Sequence, residues 1–331
     1  MTETEIFSNS LFRDLSPVEF NDLALKIFHF QYKNNTVYRS FIDALKTDTS
    51  MIRSYQQVPF LPISFYKDHR VICGAPEVYD ICFQSSGTTG MSRSCHYIKD
   101  KTLYEESFTR TFEHFFGPVS DYVILALLPS YLEQEHSSLI YMISRLIERT
   151  NNTASSFYKY DFEKLLKDLK SVKPGKNKVI LWGVTYALLD MAERYSPDLN
   201  GVIVMETGGM KGRRKEIVRE ELHDILCRSF KTEAIGSEYG MTELLSQAYS
   251  FGNGIFRSPP WMKIIARDIN DPLSLVDPGK TGGLNVIDLA NIHSCSFIAT
   301  QDLGKVYPDG SFEVLGRFDD SDVRGCNLLY G

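Results

Sequence analysis

YDICFQSSGTTGMSR (79–93) is the stretch on which the reading of this chain turns. Tyr79–Gln84 has the composition of a short strand, and it runs straight into a loop of serine, glycine and threonine. Glycines in such a loop permit positive φ and let a ligand approach the backbone closely. The hydroxyls of Ser85, Ser86, Thr88 and Thr89 add donors, Gly87 and Gly90 open the backbone, and Arg93 supplies a fixed positive charge. That set suits a polyphosphate. It is not a Walker A loop, because GxxxxGK[ST] is absent. The same residues would also make an ordinary polar turn between a strand and a helix, so the neighbouring sequence has to decide.

On the N-terminal side, Leu15–Leu45 has helical apolar spacing, with Ser16-Pro17 as its start, and VPFLPIS (58–64) reads as an extended connection. On the C-terminal side a helix is expected from about Lys101 to Phe116. Strands are then expected at Tyr122–Leu128, Lys178–Trp182 and Val202–Glu206, alternating with helices that run through Ile147, over Phe162–Val172, over Tyr186–Tyr195 and over Lys215–Ser229. The alternation predicts an α/β fold, its sheet covered by helices on both faces. After Gly252 the pattern changes to short strands, WMKIIARD, GGLNVIDL, CSFIATQD and SFEVLGRF, broken by Pro and Gly. These predict a β-rich, largely antiparallel segment. The expected division is therefore an α/β region over 1–251 and a β-rich segment over 252–331 packed on the same core.

Composition narrows the classes. The chain has 331 residues, 43% of them hydrophobic, and a net charge of -6. Such an acidic balance argues against a dedicated nucleic-acid binder but not against a bound nucleotide. Six cysteines, at 73, 82, 95, 227, 295 and 326, form no CxxC pair, so a structural zinc site has no support. The opening MTETEIFSNS is polar and acidic rather than a secretory leader, and no apolar run has the ~18 residues of a membrane span. Free thiols together with these features lead to an expected cytoplasmic location.

Four separated segments stand in a recognisable order: QSSGTTGMSR (84–93), GSEYGMTEL (236–244), TQDLG (300–304) and GRFDDSDVRGC (316–326). Together they resemble the core motifs of the adenylate-forming superfamily, which includes acyl-CoA synthetases, firefly luciferase and peptide-synthetase adenylation domains. Within it, ETGGMKGRRKEIVREEL (206–222) and the ending RGCNLLYG look like the acyl-protein synthetases of the LuxE type, with phenylacetate-CoA ligases as next relatives. The resemblance implies ATP and Mg²⁺ as cofactors and acyl-AMP formation as the reaction. By the same resemblance Ser85, Ser86, Gly87, Thr88, Thr89 and Gly90 wrap the β- and γ-phosphates, with Arg93 where the family usually has Lys. Gly236, Ser237, Glu238 and Tyr239 line the adenine and α-phosphate side. Thr242 bonds the α-phosphate, Glu243 holds magnesium, Asp302 accepts from the ribose hydroxyls, and Arg317 reaches the ribose or phosphates. Gln301 stands where the family often has Gly. The chemistry asks for such groups in any case: when a carboxylate attacks the α-phosphorus, developing negative charge needs donors, cations and a hard-oxygen metal site.

The acid pocket is less legible. LPSYLEQEHSS (128–138) follows a buried strand where these enzymes place a gating aromatic or His, which makes His136 a candidate; a helix-start His bonded to backbone reads equally well. The apolar stripe of HSSLIYMISRLI and the Trp182–Thr185 turn would line a pocket for an apolar, fatty acid, although such a stripe also serves as core. In the LuxE type a cysteine near the C-terminus takes the acyl group and passes it to a reductase partner, and Cys326 matches that place. The alternative for Cys326 is a small buried thiol. Most adenylating enzymes carry a further C-terminal lid domain of ~100 residues with a catalytic Lys. The sequence stops before one, so either a short-tailed type works without it or the chain is incomplete; the LuxE resemblance favours the first and, with it, an acceptor other than CoA. Two rivals remain: an acyl- or aryl-CoA ligase, and a nucleotide-binding subunit that has lost catalysis. A homo-oligomer is compatible with all of these.

Overall fold

The computed structural model describes residues 3–85, 93–128, 136–172, 177–208 and 217–318. In chain order it begins with helices α1 (Glu3–Leu11), α2 (Pro17–Asn34) and α3 (Thr36–Ala44), then the short strand β1 (Leu61–Pro62) and helix α4 (Phe65–Asp68). Next come the antiparallel hairpin β2 (Ile81–Gln84) and β3 (Cys95–Ile98), and helix α5 (Lys101–Phe116). The expected helical stretch 15–45 is two helices, and the break has a clear cause. Asn35, fully buried, leaves helical geometry at φ -103, ψ 106; its side chain caps α3 by accepting from Tyr38 N at 3.0 Å and donates to the Ser294 carbonyl at 3.0 Å. The α2 start is as the sequence indicates. Ser16 and Glu19 form a capping box, and Pro17 opens the helix. Helix α1 has no counterpart among the expected elements.

An alternating series follows: β4 (Tyr122–Leu127), α6 (Ser138–Arg149), β5 (Ser156–Phe157), α7 (Phe162–Ser171), β6 (Lys178–Val184), α8 (Thr185–Tyr195), β7 (Val202–Thr207), α9 (Arg219–Phe230) and β8 (Gly236–Tyr239). Then come β9 (Ala248–Ser250), β10 (Ile255–Arg257), β11 (Met262–Arg267), β12 (Thr281–Asp288), β13 (Phe297–Val306) and β14 (Phe312–Arg317). The helix expected from Lys215 starts at Arg219, with Val218 as its N-cap.

Two compact units are built from this chain, the first from residues 1–107, 242–246 and 257–331, the second from 108–241 and 247–256. In the first, β11, β12, β13 and β14 pair in that order, all antiparallel, as the alternating C-terminal sequence leads one to expect, and β1 adds to β13 in parallel. Helix α2 turns Phe20, Leu23, Ala24, Ile27 and Phe28 inward, and Phe28 meets Phe297 of β13 edge-on at 6.2 Å. Beside them Gln31, with no exposed surface, donates to the carbonyls of Asn291 (2.9 Å) and Ile292 (3.0 Å) and accepts from Ser296 N at 3.0 Å. Its amide is thus paid for on both ends, as a buried polar group must be.

In the second unit the strands run β5-β4-β6-β7-β8 in parallel, with β9 antiparallel beside β8. Strand β4 is buried along its whole length, which explains its unbroken apolar sequence. Helices α6, α8 and α9 bury apolar stripes such as Ile140, Ile143 and Leu146, Leu188 and Met191, and Leu222, Leu226 and Phe230. The fold is the expected α/β class with an antiparallel C-terminal segment. The strand order reverses direction between β4 and β6, and in open sheets of this kind ligands gather at the carboxyl ends of the strands beside such a switch. Among the described residues no helix is long and apolar enough to cross a membrane.

Candidate functional site

In the first unit the hairpin β2–β3 brings together the two ends of the Ser/Gly/Thr loop. Ser85 N donates to the Ser94 carbonyl at 3.1 Å, and Ser94 N donates to Ser85 Oγ at 3.0 Å. Arg93 is exposed beside this neck. Ser86, Gly87, Thr88, Thr89 and Gly90 lie outside the described residues, as does Cys326.

The turn that carries Thr242 and Glu243 belongs to the same unit, and strand β3 holds it directly. Ser94 Oγ donates to Glu243 Oε1, and His96 Nδ1 lies 2.8 Å from the Thr242 carbonyl. A carbonyl can only accept, so His96 carries its proton on Nδ1. Burial, which pulls its pKa down to about 4 against the smaller opposing effect of that bond, keeps the ring neutral. From the other side Asn291 Nδ2 donates to the Glu243 carbonyl at 2.8 Å. Asp288 accepts from Leu245 N (2.8 Å), Ser246 N (2.9 Å) and Ser246 Oγ (2.7 Å). Glu243 itself is 5% exposed. Burial pushes its carboxyl pKa up; the Ser94 bond, a bond from its own backbone N–H and the charge of Arg317 oppose that, and the charge of Asp302 adds to it.

Those last two residues face each other across β13 and β14, where Asp302 is the register partner of Arg317 and Arg317 Nε stands 3.6 Å from Asp302 Oδ1. Asp302 is mostly covered (13% exposed) and Arg317 mostly exposed (69%). Gln301 is part of the same group: its Oε1 accepts from Arg317 Nη2 at 3.3 Å. Gly304, just past the pair, is required by close approach, since a Cβ there would lie 2.2 Å from the Glu313 carbonyl oxygen. A cavity of about 10 Å³ lined by His96, Lys99, Leu245, Asn291 and His293 lies beside the turn. It has room for roughly one water and none for a nucleotide.

In the second unit the candidate residues gather at the carboxyl ends of β7 and β8. Ser237 and Glu238 pair in register with Glu206 and Thr207. Glu206, 3% exposed, accepts from Thr185 Oγ1 at 2.9 Å and faces Arg219 (3.6 Å) and His223 (3.8 Å) on successive turns of α9. Burial works against its charge, but His223, Arg219, Ser237 and Thr185 together hold its pKa below the usual carboxylate value. One register position along the sheet, Glu238 goes the other way. Burial and the neighbouring Glu206 charge push it to about 7, although Thr207 Oγ1 donates to it. Gly240 accommodates this carboxyl, because a Cβ there would stand 2.2 Å from Glu238 Oε1. Gly236 and Tyr239 are buried, and Ser237 Oγ shares a 3.2 Å hydrogen bond with His223 Nε2.

The acid-pocket candidates are placed as follows. His136 is exposed, one residue ahead of Ser137, the N-cap of α6. Trp182 is fully buried, and the space that Gly183 leaves is filled by Leu188 of α8, 2.8 Å from where a Cβ would be. That glycine is explained by helix packing rather than by a ligand. Among the other cysteines, burial pushes the thiols of buried Cys73 and half-buried Cys82 up to about 12, which suits unreactive thiols. Ser94, His96, Asp288, Asn291 and Glu206 are absent from the sequence-derived set. Only the expected strand Val202–Glu206, apolar up to a closing carboxylate, carries a visible signal for one of them.

A family model described as acyl-protein synthetase, LuxE, matches residues 11–330. The chain belongs to this family. No curated protein matches this LuxE-family chain in sequence. Among solved structures it is similar to ATP-bound MatB from Rhodopseudomonas palustris, at 17% identity over 71% of this chain and 47% of that one, TM-score 0.53. It is also similar to an open conformation of 2-hydroxyisobutyryl-CoA ligase in complex with 2-HIB-AMP and CoA, at 12% identity over 92% of this chain and 70% of that one, TM-score 0.70. The LuxE-family chain spans about half the length of the MatB structures it matches. At these identities the likeness is one of fold.

Proposed function

We propose that this chain activates a carboxylic acid with ATP and then carries the acyl group on its own thiol. The supporting observation is the group in the first unit: a buried carboxylate, Glu243, held from the phosphate-loop hairpin and lying within the fields of Asp302 and Arg317. Family membership agrees with it. In the first step a carboxylate oxygen of the acid bonds to the α-phosphorus, the bond to the β-phosphate oxygen breaks, and pyrophosphate leaves with the electron pair. In this reading Thr242 and Arg317 bond phosphate oxygens, Asp302 accepts from the ribose, and Ser85 to Gly90 with Arg93 hold the β- and γ-phosphates. Gly236 to Tyr239 would line the adenine.

The donor set fits magnesium. Mg²⁺ is commonly bound by one or two carboxylates plus substrate phosphates and water, and Glu243 offers a hard oxygen in a covered place. When bound, the ion would neutralise charge on the phosphate oxygens. In the second step the Cys326 thiolate attacks the acyl carbonyl, the bond to the AMP oxygen breaks, and AMP leaves; the acyl thioester is then passed to a reductase partner. The acid is apolar, of the fatty type, with His136 at the pocket entrance.

Acid-dependent exchange of labelled pyrophosphate into ATP tests the first step over acids of graded length, and absence of exchange with every acid overturns it. Label from the acid should remain on the protein, and Cys326→Ser should remove the label while exchange survives. Free acyl-CoA formed on adding CoA, with no protein label, would replace this reading by that of a CoA ligase.

A further inference from the structure

The Thr242–Glu243 turn is clamped on its backbone from two sides, by His96 at the Thr242 carbonyl and by Asn291 at the Glu243 carbonyl. With the main chain fixed, the freedom that remains is in the Glu243 side chain; its carboxylate accepts from the residue's own backbone N–H and, from another element, from the hydroxyl of Ser94, itself 3% exposed. Ser94 in turn is locked to Ser85 by paired bonds of 3.0 and 3.1 Å across the neck of the phosphate loop.

We infer that Ser94 is a positioning residue for magnesium. Its hydroxyl occupies one lone-pair direction of Glu243 Oε1 and so fixes which direction the carboxylate presents to the ion. The same residue makes the neck of the phosphate loop and the metal-binding carboxylate one mechanical piece. This rests on the reading of Glu243 as the magnesium residue. It goes beyond that reading by assigning control of metal affinity to the residue that leads into β3 at the base of the hairpin.

The partner that orients a metal-binding group is commonly worth about 10- to 100-fold in metal affinity. The test is Mn²⁺ binding, followed by the electron paramagnetic resonance of free Mn²⁺, in the presence of a non-hydrolysable ATP analogue. It compares the full chain with Ser94→Ala, Ser94→Thr and Ser94→Cys. Ser94→Ala should bind Mn²⁺ about 10- to 100-fold more weakly. It should raise the Mg²⁺ half-saturation of pyrophosphate exchange by a similar factor and leave the KM for the acid unchanged. Ser94→Thr, which keeps the hydroxyl, should lie closer to the parent than Ser94→Ala does.

Parent-like Mn²⁺ affinity in Ser94→Ala overturns the inference, as does a rise in acid KM in step with the metal effect, or a threonine variant no better than the alanine one. If Ser94→Ala does not fold, Ser94→Cys, of similar shape but a weaker donor, carries the test, and parent-like affinity there overturns it too. A parent chain that exchanges pyrophosphate while Ser94→Ala binds Mn²⁺ normally removes this inference alone. A parent chain that neither exchanges nor binds Mn²⁺ removes the proposed function as well.

Discussion

At the level of single residues, Glu238, immediately before Tyr239, and Glu243, four residues after it, both have carboxyls whose pKa burial pushes up, and each yields a prediction. Glu243 sits in a covered place with one hydroxyl donor on its carboxylate. Glu243→Gln keeps the shape and the Ser94 contact but removes the charge. Pyrophosphate exchange should fall about 10²-fold or more, the scale expected when one preorganised electrostatic group is lost, with an unchanged melting temperature. Glu238 has its pKa raised from 4.5 to about 7 by burial and by Glu206. A carboxyl raised in the folded state binds its proton more tightly there than in the unfolded chain. Its contribution to stability is therefore complete below about pH 4.5 and is lost as pH rises through about 7. Glu238→Gln should remove that loss, so the drop in melting temperature between pH 5 and pH 8 should be smaller in the variant. The motif residues Thr242, Glu243, Asp302 and Arg317 were legible in sequence because their types and order are unusual together. Ser94 and His96 were not: a serine before a short strand and a histidine on it look ordinary, and their partners lie 149 and 146 residues away.

Among elements, the β13–β14 pair shows how backbone geometry serves the site. Asp302 and Arg317 face each other just beyond a register shift at Leu303/Gly304, where β14 closes tightly on β13. Gly304→Ala would drive a methyl into the Glu313 carbonyl, an overpacking that costs about 1–3 kcal/mol. It should also raise the KM for ATP while leaving the KM for the acid alone; urea unfolding and exchange kinetics read the two effects separately. The alternating strands and helices of the second unit were legible from periodicity, and so were the C-terminal antiparallel strands. The division of 15–45 into α2 and α3 was not, because the apolar spacing runs on through Asn35. That residue breaks the helix for partners supplied by Ser294 and Tyr38. Gly183 taught a similar lesson: a glycine after a strand invites a ligand in sequence, and in space it admits Leu188.

For the whole molecule, the family and the fold class were readable because four motifs must recur in order for the chemistry to exist, whereas the partition into two units was not, since it follows contacts between distant segments. If the chain holds ATP with Mg²⁺, binding must stabilise it. At a nucleotide concentration of about 100 times Kd the gain is about 2.7 kcal/mol. A thermal scan with Mg²⁺ and ATP should show a rise in melting temperature, and the rise should be absent when Mg²⁺ is chelated.

The first unit takes its pieces from both ends of the polypeptide: β1 pairs with β13, and Gln31 reaches Ser296 across 265 residues. A ribosome adds about 5–20 residues each second, so on the order of 10–50 s separate the synthesis of α2 from that of the strand it packs on. During that interval Phe28 has its early partner Tyr38 but not Phe297, so the apolar face of α2 stays partly uncovered until the late strands are made.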